Sequence, residues 1–72
     1  MNTIRKISVG RDYKIDAMHY AVDQEVFGGH KICDILREEG GYNIYISKND
    51  EIILWKHFND NMGISIEYNL NF

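Results

Sequence analysis

Hydrophobic and polar positions alternate most strictly near the end of the chain, in GISIEYNL (residues 63–70), where Ile64, Ile66, Tyr68 and Leu70 oppose Ser65, Glu67 and Asn69. Successive side chains of a strand point to opposite faces, so this period of two predicts a strand with one buried face. YNIYIS (42–47) repeats the pattern, with Tyr42, Ile44 and Ile46 set against Asn43, Tyr45 and Ser47. EIILWKHF (51–58) is apolar on both sides near its middle: Ile52, Leu54 and Phe58 share one face, broken by Lys56, and Ile53, Trp55 and His57 share the other.

The turn between the last two strands sets which residues meet. A three-residue loop, KND (48–50), pairs Ser47 with Glu51, Ile46 with Ile52 and Ile44 with Leu54. A two-residue loop pairs Ile46 with Ile53 and turns Trp55 toward the core. Burial selects register, and the first arrangement puts the more aliphatic face inward, so the sequence favours it at the cost of an outward Trp55. The predicted core centre is then Ile44, Ile46, Ile52, Leu54, Ile64 and Ile66. NDNMG (59–63) reads as a turn or a single helical turn before the last strand.

Upstream, KICDILREE (31–39) fits two periods. Ile32, Ile35 and Leu36 have helical spacing, whereas Cys33 and Ile35 against Asp34 suit a strand whose alternation slips near Leu36. A helix here would place Glu38 and Glu39 at the negative end of its dipole and would lack an N-capping side chain after Gly29. EGG (39–41) leads into a strand as a hairpin turn does, so a strand with a bulge or bend is expected. QEVF (24–27) reads as a short strand closed by Gly28 and Gly29, preceded by MHYAV with Met18, Tyr20 and Val22 alternating. Short strands at this spacing in 72 residues predict one mostly-β domain.

Composition agrees with a folded domain: 44% of residues are apolar and 26% charged. A chain this short has little room for a deep catalytic cleft. One cysteine cannot form an internal disulfide, and no apolar run of signal-peptide length follows Met1, which points to a reducing cytoplasm. The longest apolar run, IILW (52–55), is far shorter than a membrane span, so a soluble protein without membrane contact is expected. The net charge of −3 conceals an asymmetry. Residues 1–14 carry four basic groups and one acidic group, and residues 15–72 carry four basic and ten acidic groups. The opening is a basic strand or arm on an acidic body, and an acidic body repels phosphates and favours basic partners.

Candidate chemistry is sparse. His30 and Cys33 lie three apart, but structural zinc needs four ligands, and His19 and His57 are the only other strong nitrogen ligands. A turn histidine and a small buried thiol account for both residues, and no metal or cofactor is expected. Glu38 and Glu39 are adjacent, so on a strand they face opposite ways and cannot work jointly as acid and base. The Gly-Gly pairs stand outside any phosphate-binding motif. No catalytic residues are assigned and no enzymatic activity is expected.

On the favoured register, Tyr45, Ile53, Trp55 and His57 lie opposite the aliphatic core. Either the segments TIRKISV (3–9) and DYKIDAMHYAV (12–22) cover them, with Tyr13, Ile15, Met18 and Tyr20 as the covering layer, or they form a partner-binding surface.

The order of elements, with a strand, a long connection, a three-strand meander, NDN and the closing strand GISIEYNL, resembles the SH3-like barrel, where one 3₁₀ turn commonly precedes the last strand. AMHYAVDQEVFGGHKI, YNIYI and WKHFNDNMGISIEYNLNF, in a chain rich in Asn, Ile and Lys and devoid of proline, resemble the small accessory proteins of T-even-type bacteriophages. That resemblance implies binding and inhibition or modulation of a bacterial host protein or defence system in the host cytoplasm, and it carries over no functional residue.

Two classes of function follow. The favoured one is a non-enzymatic protein-binding domain using an acidic, aromatic-bearing face, with an exposed edge strand available for β-augmentation or a homodimer. The alternative is a nucleic-acid-binding small barrel using Tyr45, Trp55 and the basic arm, against which the acidic body argues.

Overall fold

A computed structural model of the chain describes residues 3–10 and 17–69. Its strands are β1 (Thr3–Val9), β2 (Met18–Ala21), β3 (Lys31–Glu38), β4 (Gly41–Lys48), β5 (Glu51–Asn59) and β6 (Ile64–Asn69), with one 3₁₀ turn (Asp60–Met62) before β6. They form two antiparallel three-stranded sheets, β2-β1-β6 and β3-β4-β5, as a small SH3-like barrel. The mostly-β class, the strand at 31–38 and the helical turn before the last strand all agree with the sequence pattern. Thr3–Val9 is the central strand of its sheet, paired with β2 on one side and β6 on the other. Tyr13, Ile15 and Leu70, to which sequence roles are assigned above, and Arg11 and Lys14, two of the four basic groups of the opening arm, lie outside the described residues.

The core is aliphatic at its centre and aromatic at one end. Ile7, Ile32, Ile44 and Ile46 are fully buried, joined by Val9, Tyr20, Ile35 and Phe58, with Ile4, Ile64 and Ile66 packed around them. Tyr20 stacks on Phe58 with ring centroids 5.6 Å apart and meets Trp55 edge-on at 5.7 Å, and Phe27 reaches Trp55 at 6.1 Å.

Three strands contain an irregularity that resets their alternation. The β1–β6 register shifts between Ile4 and Lys6, the β3–β4 register between Ile32 and Asp34, and the β4–β5 register between Ile44 and Tyr45, where Trp55 is the extra residue on β5. One additional residue flips the phase of a strand. This is why Ile4 packs on the same core as Ile7 and why Ile32 and Ile35, three apart, are both buried. The slip expected near Leu36 falls instead at Cys33.

The β4–β5 hairpin differs from the register the aliphatic pattern favours. Its turn has two residues, Asn49 and Asp50, with φ of 52° and 65°, and pairs Lys48 with Glu51, Ser47 with Ile52, Ile46 with Ile53 and Tyr45 with Leu54. Asn and Asp tolerate the left-handed region that the favoured hairpin turn requires at both central positions, and that turn matches the twist of the strands. Ile52 and Leu54, expected at the core centre, are consequently exposed at 61% and 53%. Trp55, expected outside, packs on the core. Beyond the bulge Lys56 pairs with Ile44, His57 with Asn43 and Phe58 with Tyr42, which returns Phe58 to the interior.

QEVF forms no strand. Glu25 makes one bridge to Lys31, and the chain turns at Gly28 and Gly29, where His30 N–H donates to the Phe27 carbonyl at 2.8 Å. Of the alternating MHYAV, Tyr20 is buried, Val22 half-buried and Met18 exposed.

Candidate partner-binding face

Residues paired across a sheet share a face, so the registers define the outer surface of β3-β4-β5. Opposite the buried Ile32, Ile35, Ile44 and Ile46 lie Asp34, Leu36 and Glu38 on β3, Asn43, Tyr45 and Ser47 on β4, and Ile52, Leu54 and His57 on β5.

A hydrogen-bonded chain crosses this face. One carboxylate oxygen of Glu38 accepts from the Tyr45 hydroxyl at 2.7 Å and from the Asn43 amide at 3.2 Å. The Asn43 carbonyl oxygen faces Nδ1 of His57, whose Nε2 lies 3.0 Å from the side-chain oxygen of Asn59. Asn43 is buried, and these partners satisfy it, as a buried amide requires. The bonds from Tyr45 and Asn43 favour the ionised form of Glu38 and hold its carboxyl below the usual range. Donation to that carboxylate, followed by desolvation, raises the Tyr45 hydroxyl above its ordinary value.

The chain of polar contacts ties down the Tyr45 end of the face, and the remainder is apolar. Leu54 stands directly across from Tyr45, Ile52 lies two residues along on the same side, and Leu36 flanks Asn43 from β3. All three aliphatic residues are exposed. Asp34 and Glu38 give the β3 margin an acidic character. On the opposite side of β3, where it pairs with Tyr42, Arg37 makes a two-point ion pair with Asp60 at 2.6 and 2.9 Å and lies over the Tyr42 ring at 5.1 Å. The pairing with Arg37 lowers the Asp60 carboxyl and raises the guanidinium.

The four residues singled out from the sequence do not form one patch. Tyr45 and His57 lie on the outer face, linked through Glu38 and Asn43. Ile53 pairs with the buried Ile46 and is 43% exposed at the sheet margin. Trp55 leaves the group: its ring meets Tyr20 and Phe27, and the Lys56 ammonium caps it at 4.8 Å from the centroid. Leu36, Ile52 and Leu54 were missed because their spacing is that of core residues; the bulge at Cys33 turns Leu36 outward, and the two-residue turn does the same for Ile52 and Leu54.

His30 and Cys33 take separate partners. His30 Nδ1 lies 3.0 Å from the Phe27 carbonyl oxygen, and the Cys33 thiol donates to the Tyr45 carbonyl at 3.5 Å. Among the described residues no group of three or more His, Cys, Asp or Glu side chains is arranged to hold a metal ion. No helix among them is long and apolar enough to cross a membrane. Comparison with known proteins finds no matching family model, no matching curated protein and no matching solved structure.

Proposed function

We propose that the chain is a non-enzymatic protein-binding domain whose outer β3-β4-β5 face docks a partner with apolar and basic groups. One observation carries this reading: Leu36, Ile52 and Leu54 are all exposed on the face that bears Tyr45, with Leu54 directly across from it. Exposed aliphatic residues gathered beside an anchored aromatic ring are characteristic of interaction surfaces. The acidic margin of Asp34 and Glu38 selects for positive charge on the partner and speeds encounter.

The resemblance to accessory proteins of T-even-type phages supports a specific setting, in which the partner is a bacterial host protein or defence component bound and modulated in the host cytoplasm. The test is affinity capture from bacterial lysate with mass spectrometry, repeated with Leu54→Glu. The variant is expected to lose the captured protein, with affinity lower by about 2 kcal/mol or more, since interface energy concentrates at a few central residues. Equal capture by both proteins refutes the proposed face. Tight, salt-sensitive binding of random single-stranded nucleic acid would favour the nucleic-acid alternative instead.

A further inference from the structure

Among the described residues strand β5 is an edge: it pairs with β4 alone. We infer that this edge pairs with the β5 edge of a second copy, antiparallel and centred on Ile53, making a continuous six-stranded sheet across a two-fold axis. The inference uses the edge of β5, whereas the proposed partner site uses its face.

The backbone pattern selects the register. Lys48 and Glu51 flank a two-residue turn, so they form a hydrogen-bonded pair, and Ile53 likewise directs its N–H and C=O toward β4. Ile52 and Leu54 therefore present theirs to the free edge. A two-fold axis normal to the sheet keeps paired residues on one face, so a residue meets its own copy or one an even number of places away. Centring on Ile52 would pair Leu54 with Asp50, inside the turn. Centring on Leu54 would pair Ile52 with Lys56, beyond the Trp55 bulge. Centring on Ile53 keeps the central pairs within the regular segment, with only Trp55 at the outer ends belonging to the bulge, and sets Ile52 against Leu54 of the second copy, twice, with their outward backbone groups matched.

Side chains agree with that register. Ile52, Ile53 and Leu54 are 61%, 43% and 53% exposed, and the pairing joins all three with their counterparts. Glu51 comes opposite Trp55 of the second copy, whose ring carries the Lys56 ammonium 4.8 Å from its centroid, so opposite charges adjoin at both ends. The usual guards of an edge are missing between Glu51 and Trp55: there is no proline and no charged side chain, and Lys56 lies back over the indole. The edge is complementary to itself in backbone groups, apolar surface and charge.

Sedimentation equilibrium of the full chain across a concentration series tests this. A reversible dimer is expected, and Ile53→Lys, which sets two ammonium groups across the axis, should weaken it at least tenfold with an unchanged circular dichroism spectrum. A second measurement covers the case in which that variant fails to fold. In a Cys33→Ser background, Ile53→Cys should oxidise to a covalent dimer much faster than Leu36→Cys, because directly opposed residues of a non-hydrogen-bonded pair have Cα atoms about 4.5 Å apart, within disulfide reach. A native chain that stays monomeric at about millimolar concentration, or equal oxidation rates at positions 53 and 36, would overturn the inference. A monomer that still captures a partner through Leu54 would overturn the dimer and leave the partner-binding reading standing.

Discussion

The carbonyl oxygen of Phe58 occupies the space that a side chain at position 41 would need, so β4 and β5 meet closely only because Gly41 has no Cβ. Gly41 pairs with Asn59 at the end of the hairpin, and the approach lets Phe58 enter the core beside Tyr20. Gly41→Ala must push backbone against backbone and is expected to cost about 1 to 3 kcal/mol. Gly40 has no atom within 4 Å of the corresponding position, so Gly40→Asn, which suits its φ of 74°, should be nearly neutral. Urea unfolding of the two variants checks the contrast.

The hairpin register separates aliphatic residues that look alike in sequence. Ile46→Ala should destabilise the domain by about 2 to 5 kcal/mol, since the side chain is fully buried. Ile52→Ala should change the stability of the dissociated chain by no more than about 0.5 kcal/mol. Denaturation at low protein concentration, where β5 pairing between copies is absent, measures both; similar losses would restore the three-residue register.

Trp55 reports on the aromatic end of the core. Its contacts with Tyr20 and Phe27 predict blue-shifted fluorescence and partial protection from an aqueous quencher in the native chain. Tyr20→Ala removes the edge-on ring and should move the emission to the red while costing about 3 kcal/mol of stability. A fully solvated spectrum in the native protein would return Trp55 to the outer surface.

The Glu38 network predicts a pH response. Bonds from Tyr45 and Asn43 lower the folded carboxyl relative to the unfolded chain, where glutamate titrates at about 4.3. The folded state then binds the proton less readily than the unfolded state. The contribution is present in full above the unfolded value and fades as pH falls through the folded one. Carboxyl titration by NMR should place Glu38 below the usual glutamate range, and Tyr45→Phe should move it upward. Tyr45 has the opposite sense: its raised hydroxyl supports the fold below about pH 10 and ceases to do so as pH climbs through the folded value.

Much of the architecture was legible from residue order. The alternation in residues 42–47 and 64–69 is a local consequence of strand geometry, and the Asn, Asp and Gly positions mark the turns; these alone determine a mostly-β chain with Ile44 and Ile46 inside. What the sequence could not determine is phase. A single bulge moves every following side chain to the other face, and whether one forms depends on twist, closure of the two sheets and room in the core, which are properties of the whole barrel. β5 shows the effect: the two-residue turn leaves Ile52 and Leu54, which have the better aliphatic pattern, in the open, and Trp55, as the extra residue, turns toward Tyr20 and Phe27 and resets the phase so that Phe58 is buried. The network from Glu38 to His57 was equally hidden, because its members lie on three strands and only pairing brings their donors and acceptors together.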